Sequence, residues 1–449
     1  MKQELLAKYD VRLPRYTSYP TAPHFGPNVD GRHYGQWLGE LPPAMPVSLY
    51  LHIAYCAEMC WFCGCHTKIT QRYAPVADYL AVILKEIDLV ADRLPTRMQA
   101  SHIHFGGGTP TILSAPDLAR LINHLKSRFT LAADAEVAVE IDPRTCTEEY
   151  VRTMAEAGVT RASLGVQDFN PVVMEAVNRI QPFELVAEVL GWLRHYGIDE
   201  INMDLIYGLP YQTVASVLET IDRTATLNPR RISLFGYAHV PWMKKHQTLI
   251  PEEALPGIDE RLAQAEACNQ RLAEHGFRAV GLDHFAREDD TLSLALAKGT
   301  LHRNFQGYTT DAAPALIAFG ASGIGSLPQG YVCNDTEIHR WKRTVNEGLL
   351  PIKRGIALSA EDRLRREVIE RLMCDLVLDV GAVAEAHGRP LEHFDSELAS
   401  LGGMIDDGLM TLDGRTITLT DDGRPLVRAV AAKFDQYLKA GETRHSKAV

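Results

Sequence analysis

The run Cys56-Ala57-Glu58-Met59-Cys60-Trp61-Phe62-Cys63-Gly64-Cys65 places four thiols in one short stretch, the first three at the spacing C-x3-C-x2-C. Each iron of a 4Fe–4S cluster needs one outer ligand. Three thiolates from a single loop therefore hold three irons and leave the fourth open to a ligand that is not protein. An open iron on an electron-rich cluster is a place for chemistry. A structural zinc site is the competing reading, but zinc favours two separated ligand pairs, and no second pair follows. Cys146, Cys268, Cys333 and Cys374 are scattered singly, the pattern of small buried hydrophobes. With eight cysteines in 449 residues and no apolar export segment at Met1–Asp10, a reducing compartment, the cytoplasm, is expected rather than a disulfide framework.

Something must carry that loop. From residue 47 short β-branched runs alternate with longer amphipathic stretches. Strands are predicted at Val47–Ile53, His102–Phe105, Val137–Ile141, Ala162–Val166, Ile201–Ile206, Ile232–Tyr237 and Ala279–Leu282. Helices are predicted at Ala115–Phe129, Glu148–Ala157, Phe183–Tyr196, Val214–Leu227 and Asp259–His275. This is the pattern of parallel βα units, a barrel or part of one, with a doubly wound open sheet as the alternative. The polar and glycine-rich residues follow the strand ends: the cysteine loop, Gly106-Gly107-Gly108-Thr109-Pro110, Glu140-Ile141-Asp142-Pro143, Gln167-Asp168, Asp204 with Gly208-Leu209-Pro210, Ala238-His239 and Asp283-His284. Singly, each has a plain structural reading: a tight turn for the glycines, an N-cap for Glu140 or Asp142, a satisfied core group for Gln167 or Asp204. Delivered together to the C-terminal face of parallel strands, they read as an active site.

A formal charge of −11 disfavours nucleic acid and anionic membranes as general partners. The uncharged stretch Ala312–Cys333 contains Pro314, Pro328 and four glycines and reads as tightly packed buried backbone, not a membrane span. Residues 1–46 form an N-terminal arm, 47–350 the βα core and 351–449 a C-terminal domain. There Ser359 should cap a helix over Ala360–Leu376, Leu409–Leu412 and Thr416–Leu419 should form a hairpin, and a last helix should run about Pro425–Leu438. That order is winged-helix-like, but the candidate helix Leu391–Leu401 carries Glu392, Asp395 and Glu397 and no lysine or arginine, so a lid or packing role is expected rather than DNA binding.

Several longer stretches narrow the reading. They are Pro14-Arg15-Tyr16-Thr17-Ser18-Tyr19-Pro20-Thr21-Ala22, the cysteine loop with its fourth Cys65, Gly165-Val166-Gln167-Asp168-Phe169-Asn170, Asp204-Leu205-Ile206-Tyr207-Gly208-Leu209-Pro210, Asp283-His284-Phe285-Ala286-Arg287 and Leu301–Thr310. With Gly-Gly-Gly-Thr-Pro they resemble the radical S-adenosylmethionine (SAM) superfamily and, within it, the bacterial oxygen-independent coproporphyrinogen III dehydrogenases. The likeness is weakest after about residue 380. It implies an α/β fold, a partial (βα) barrel of the radical SAM type with an N-terminal arm and a mostly helical, winged-helix-like C-terminal domain.

The same resemblance implies that two propionates of coproporphyrinogen III become vinyl groups, giving protoporphyrinogen IX. A 5′-deoxyadenosyl radical from SAM takes a hydrogen from the propionate β-carbon, carbon dioxide leaves, and one electron passes to an acceptor. It implies a 4Fe–4S cluster on Cys56, Cys60 and Cys63 and two SAM molecules. For the cluster-bound SAM the matching positions are Tyr50, Phe62, Gly107, Glu140, Ala238 and Ile324. For the second they are Gly108, Thr109, Gln167, Arg179 and Asp204. Cys65 is implied to act in catalysis without ligating iron. Arg15 and Arg303 are candidates for the substrate carboxylates. A monomer is implied, served by an electron donor such as flavodoxin or ferredoxin and by an acceptor the sequence does not name. One departure from the family is His52-Ile53-Ala54-Tyr55, where Pro-Phe usually follows His-Ile; it touches no ligand. A haem chaperone of the same fold is the alternative, disfavoured by the Pro-Arg-Tyr-Thr-Ser-Tyr-Pro arm and by Cys65. A zinc-dependent nucleic-acid-binding protein is the third reading.

Overall fold

Strand and helix alternate through the core as the apolar periodicity requires. The computed structural model describes Leu5, Lys8, Tyr9 and residues 11–438. Strands Val47–Ile53, Gln99–Gly107, Thr130–Ile141, Arg161–Gln167, Glu200–Tyr207 and Arg231–Gly236 lie side by side in chain order, every neighbouring pair parallel. A doubly wound sheet would reverse its strand order at a switch point. Unbroken order is the βα-barrel pattern, and it sends every strand's C-terminal end to one face. Several of the helices between them begin at a side-chain cap. Ser114, Thr147 and Thr213 accept from the backbone N–H of Asp117, Tyr150 and Ser216, satisfying donors a helix start leaves open. In Ala115–Arg128 the buried residues Leu118, Leu121, Ile122 and Leu125 form one stripe, each worth about 2 kcal/mol of burial.

The predicted strand Ala279–Leu282 is corrected by the structure. The strand observed is Phe277–Val280, and it turns back to pair antiparallel with His284–Arg287. Gly281, at φ +57°, makes that reversal, and a Cβ there would lie 1.9 Å from the Tyr308 ring. Asp283-His284 therefore lies in a hairpin and not at the end of a parallel strand. The remaining parallel partner is Ala315–Phe319, which pairs with Val47–Ile53 on the side away from Gln99–Gly107 (Leu49 opposite Ile317). It comes from the uncharged stretch, which continues antiparallel through Ile324–Leu327 and Gly330–Asn334 to Ile352–Ala357. Among the described residues no helix is long and apolar enough to cross a membrane.

By packing, the chain forms two compact units, one of Phe25–Pro256 with Asp311–Ala357, the other of Met1–His24, Gly257–Thr310 and Leu358–Val449. The first contains the parallel sheet and the cysteine loop. In the second, Ser359 caps Ala360–Asp375 with a reciprocal bond to Asp362. Val377–Asp379, Thr416–Leu419 and Met410–Asp413 form a three-stranded antiparallel sheet in that order. The stretch expected as one helix at 391–401 is a 3-10 turn, Leu391–Phe394, followed by a short helix, Asp395–Ala399. The last helix is likewise short, Val427–Ala431 between 3-10 turns. Phe394 and Phe434, both fully buried, meet edge to face at 5.4 Å, so core packing sets these breaks over local propensity. Arg365 and Arg415 pair with Glu397 and Asp395.

Candidate active site

The cysteine loop is held at both ends and in its middle. Trp61 N–H donates to Val177 O (2.9 Å) and Asn178 Nδ2 to Met59 O (2.8 Å). Gln247 Nε2 donates to Phe62 O (3.0 Å), His246 Nε2 to Cys63 O (2.7 Å) and Lys244 Nζ to Cys65 O (3.0 Å). His52 Nε2 donates to His66 O at 2.8 Å, so its Nδ1 is left to accept from the Tyr50 hydroxyl at 3.1 Å. Burial keeps this imidazole neutral by lowering its pKa. His66 in turn donates to Thr336 O (2.7 Å).

Each sulfur of the trio receives donors of its own. Cys56 Sγ accepts from the hydroxyls of Thr67 (3.3 Å) and Thr109 (3.4 Å). Cys60 Sγ accepts from Arg144 Nη2 (3.5 Å) and Arg179 Nη1 (3.4 Å). Cys63 Sγ accepts from the Cys65 backbone N–H at 3.3 Å. The Cys65 thiol and its N–H draw the Cys63 pKa down to about 6, against burial, while the Cys63 thiolate pushes Cys65 up. A thiolate is the form that binds metal. Among the described residues no three His, Cys, Asp or Glu side chains converge as on a single ion.

Instead these sulfurs border a cavity of about 190 Å³, lined also by Phe62, Gly107, Gly108, Thr109, Glu140, Gln167, Arg179 and Asp204. Cys65 lines it too. The parallel register does this: Glu140 lies opposite Ser163, and Gly165 opposite Asp204. Glu140 Oε1 is 3.0 Å from His104 Nε2. Asp204 accepts from Ser163 Oγ (3.0 Å) and Asn202 Nδ2 (2.8 Å), and burial first, then the charge of Glu140, raises its pKa. Gln167 has φ +69° at a break in the register, a left-handed conformation unusual for a residue with a side chain. The glycines leave room. A Cβ on Gly108 would lie 2.5 Å from Tyr55 O, and one on Gly107, at φ +110°, 2.8 Å from the His52 ring.

Three residues expected at the cluster-bound SAM lie outside the lining. Tyr50 stacks on His104, which bonds Glu140. Ala238 O accepts from Gln247, the residue that also bonds Phe62 O. Ile324 pairs with Cys333 in the antiparallel extension. In the other unit, Arg15 is exposed, whereas the Arg303 side chain is 5% exposed, 4.0 Å from Asp283 and stacked over Tyr308. Sequence reasoning missed Ser163, Gly165, Glu58 and Arg144, which also line the cavity. The available signal for Arg144 was its place directly after the strand end Glu140-Ile141-Asp142-Pro143.

Comparison with known proteins agrees with this geometry. Residues 50–224 match the Radical SAM superfamily and residues 358–426 the HemN C-terminal domain. The chain is 49% identical over 450 residues to the oxygen-independent coproporphyrinogen III oxidase of Bradyrhizobium diazoefficiens, covering 100% of both chains. It is 41% identical over 443 residues to that of Cereibacter sphaeroides, covering 99% of this chain and 98% of the other. The solved structure of coproporphyrinogen III oxidase (HemN) from Escherichia coli superposes with a TM-score of 0.92 at 37% identity, over 98% of this chain and 99% of that one. Fold and site thus define a radical SAM oxidoreductase, for which the cofactors are a 4Fe–4S cluster and SAM. The chain belongs to the family of oxygen-independent coproporphyrinogen III oxidases.

The residues present fit those cofactors. Three thiols with donors on every sulfur suit a cluster. Arg179 Nε is buried without a hydrogen-bond partner among the described residues, which suits an anionic ligand group. Glu140 supplies acceptor oxygens beside backbone that no Cβ obstructs.

Proposed function

We propose that this protein carries out the oxygen-independent oxidative decarboxylation of two propionate side chains of coproporphyrinogen III to vinyl groups, giving protoporphyrinogen IX in haem biosynthesis. The observation that carries this reading is the shared cavity of Cys56, Cys60, Cys63 and Cys65 with Glu140, Gln167, Arg179 and Asp204, in a chain whose full length matches relatives named for that substrate.

When bound, cluster and SAM supply one-electron chemistry that generates an organic radical. The protein's part is to hold, aim and shield. Cys56, Cys60 and Cys63 are the cluster ligands. Tyr50, Phe62, Gly107, Glu140, Ala238 and Ile324 hold the cluster-bound SAM. Glu140 accepts from ribose hydroxyls, and Gly107 offers bare backbone to the methionyl end. Gly108, Thr109, Gln167, Arg179 and Asp204 hold a second SAM, with the Arg179 guanidinium against its carboxylate. Cys65 acts in turnover without binding iron. Arg15 and Arg303 are the candidates for meeting substrate carboxylates. The protein works as a cytoplasmic monomer, reduced by a flavodoxin- or ferredoxin-type donor and passing electrons to an acceptor of unassigned identity.

The test is anaerobic reconstitution followed by SAM, coproporphyrinogen III and a reductant. Vinyl product and carbon dioxide are expected. A reconstituted protein that cleaves SAM or retains haem but yields no vinyl product refutes the assignment.

A further inference from the structure

Cys60 differs from the other two cluster thiols in its hydrogen-bond donors. Hydroxyls face Cys56, and Cys63 receives the Cys65 backbone amide with the Lys244 charge farther off, but two guanidinium groups, Arg144 and Arg179, reach the Cys60 sulfur directly. Asp142 lies between the two arginines, with Oδ2 2.7 Å from Arg144 Nη2 and 3.5 Å from Arg179 Nη1. The side chains of Arg144, Asp142 and Arg179 are only 15%, 9% and 8% exposed. Burial pushes the Asp142 pKa up, yet Arg179 and Arg144 hold it below the usual carboxylate range, so the triad is charged.

Taking three charges out of water costs several kcal/mol per ion, and an apolar packing of similar volume is often as stable or more so. Fold stability is thus a poor reason for this triad. Its geometry points elsewhere. Arg144 has each guanidinium nitrogen engaged: Nε with Asp142 Oδ1 (3.0 Å), Nη1 with Glu58 Oε2 (3.2 Å) and Nη2 with Asp142 and the Cys60 sulfur. Glu58 lies inside the cysteine loop, so this one side chain ties the loop to the end of strand Thr130–Ile141. Arg179 differs: its Nη1 also reaches the sulfur and its Nη2 donates to Gly165 O, but its Nε has no hydrogen-bond partner among the described residues. Arg144 is the arginine that binds both the sulfur and the cysteine loop.

We propose that Arg144 is a positioning residue that sets the reduction potential of the cluster by holding a positive charge on the Cys60 thiolate. Resting on the reading that Cys56, Cys60 and Cys63 carry the cluster, this assigns to Arg144, beside Arg179, a share in the ease with which the cluster takes its electron. Reduction adds negative charge, and a fixed cation hydrogen-bonded to a ligand sulfur favours the more negative state. Asp142 offsets part of that effect and keeps the guanidinium in register.

The test is a redox titration of the anaerobically reconstituted full-length protein, followed by electron paramagnetic resonance, with iron and sulfide counted beforehand. Arg144→Gln should retain the cluster, and its reduced-to-oxidised ratio at a fixed potential should fall about tenfold, equivalent to about 59 mV for one electron. Asp142→Asn, which removes the neutralising carboxylate, should move the ratio in the opposite direction. A midpoint unchanged in Arg144→Gln overturns the proposal. If that variant does not assemble a cluster, Asp142→Asn decides: an upward shift supports the proposal, and no shift or a downward one overturns it. Wild-type protein without a four-iron signal would instead refute the cluster reading itself.

Discussion

Gly106 and Glu140 face each other across neighbouring strands so closely that a Cβ on Gly106 would lie 2.6 Å from Glu140 Oε1. The glycine therefore defines where the carboxylate rests. The conflict would be with the end of a flexible side chain, so the sheet can keep its pairing while the carboxylate moves. Gly106→Ala should fold and load its cluster normally but bind SAM about tenfold more weakly, the scale of losing one hydrogen bond to a charged group. Calorimetric titration of SAM into reconstituted protein checks this, and an unchanged affinity would remove Glu140 from the SAM site.

Cys65 shares the cavity with Cys56, Cys60 and Cys63 and donates its N–H to the Cys63 sulfur. Serine keeps that backbone bond. Cys65→Ser should hold as much iron as wild type while losing nearly all turnover to vinyl product. Loss of the cluster in that variant would make Cys65 a ligand instead.

Glu86 offers a pH test away from the chemistry. Its carboxylate is buried and accepts from Gly320 N–H (2.8 Å), Asn334 Nδ2 (2.6 Å) and Trp341 Nε1 (3.1 Å). Burial, only partly offset by these bonds, raises its pKa from 4.5 to about 7. The folded state thus binds a proton that the unfolded chain has released between those values. The stability contributed is full below pH 4.5 and is lost as pH rises through about 7, roughly 3 kcal/mol in all. Denaturant titrations across that range should show the slope, and Glu86→Gln should flatten it. An equal slope in both proteins would place the titration on another group.

Arg15 and Arg303 call for different variants. Charge reversal at Arg303 would bury a second carboxylate beside Asp283 and should cost about 3–5 kcal/mol of stability, obscuring any effect on substrate. Arg15 is exposed, so Arg15→Ala should leave the melting temperature unchanged and raise KM for coproporphyrinogen III several-fold. Steady-state kinetics at saturating SAM reads this, and an unaltered KM would exclude Arg15 from the substrate site.

Much of this site was legible in the chain because its chemistry is local in sequence. Ligand spacing alone located the cysteine loop, and the strand-end positions of Gly107, Glu140, Gln167 and Asp204 brought them to one cavity. Register and reversal were not legible. Ser163 and Gly165 join the cavity through pairing with strands on either side, which no single segment encodes. A short apolar run such as 279–282 looks the same whether its neighbour is parallel or a hairpin partner. Ala315–Phe319 was hidden by its setting in a long uncharged stretch, where strand ends carry no polar punctuation. Arg144 looked like one more charged residue after a turn, and only its distance to Cys60 gives it a role.

The bond from His66 to the carbonyl of Thr336 joins positions 270 residues apart. A ribosome releases Cys56 through Cys65 long before it reaches that partner. The segment just past the four thiols therefore gains this tether only late in synthesis, after most of the parallel sheet has been made.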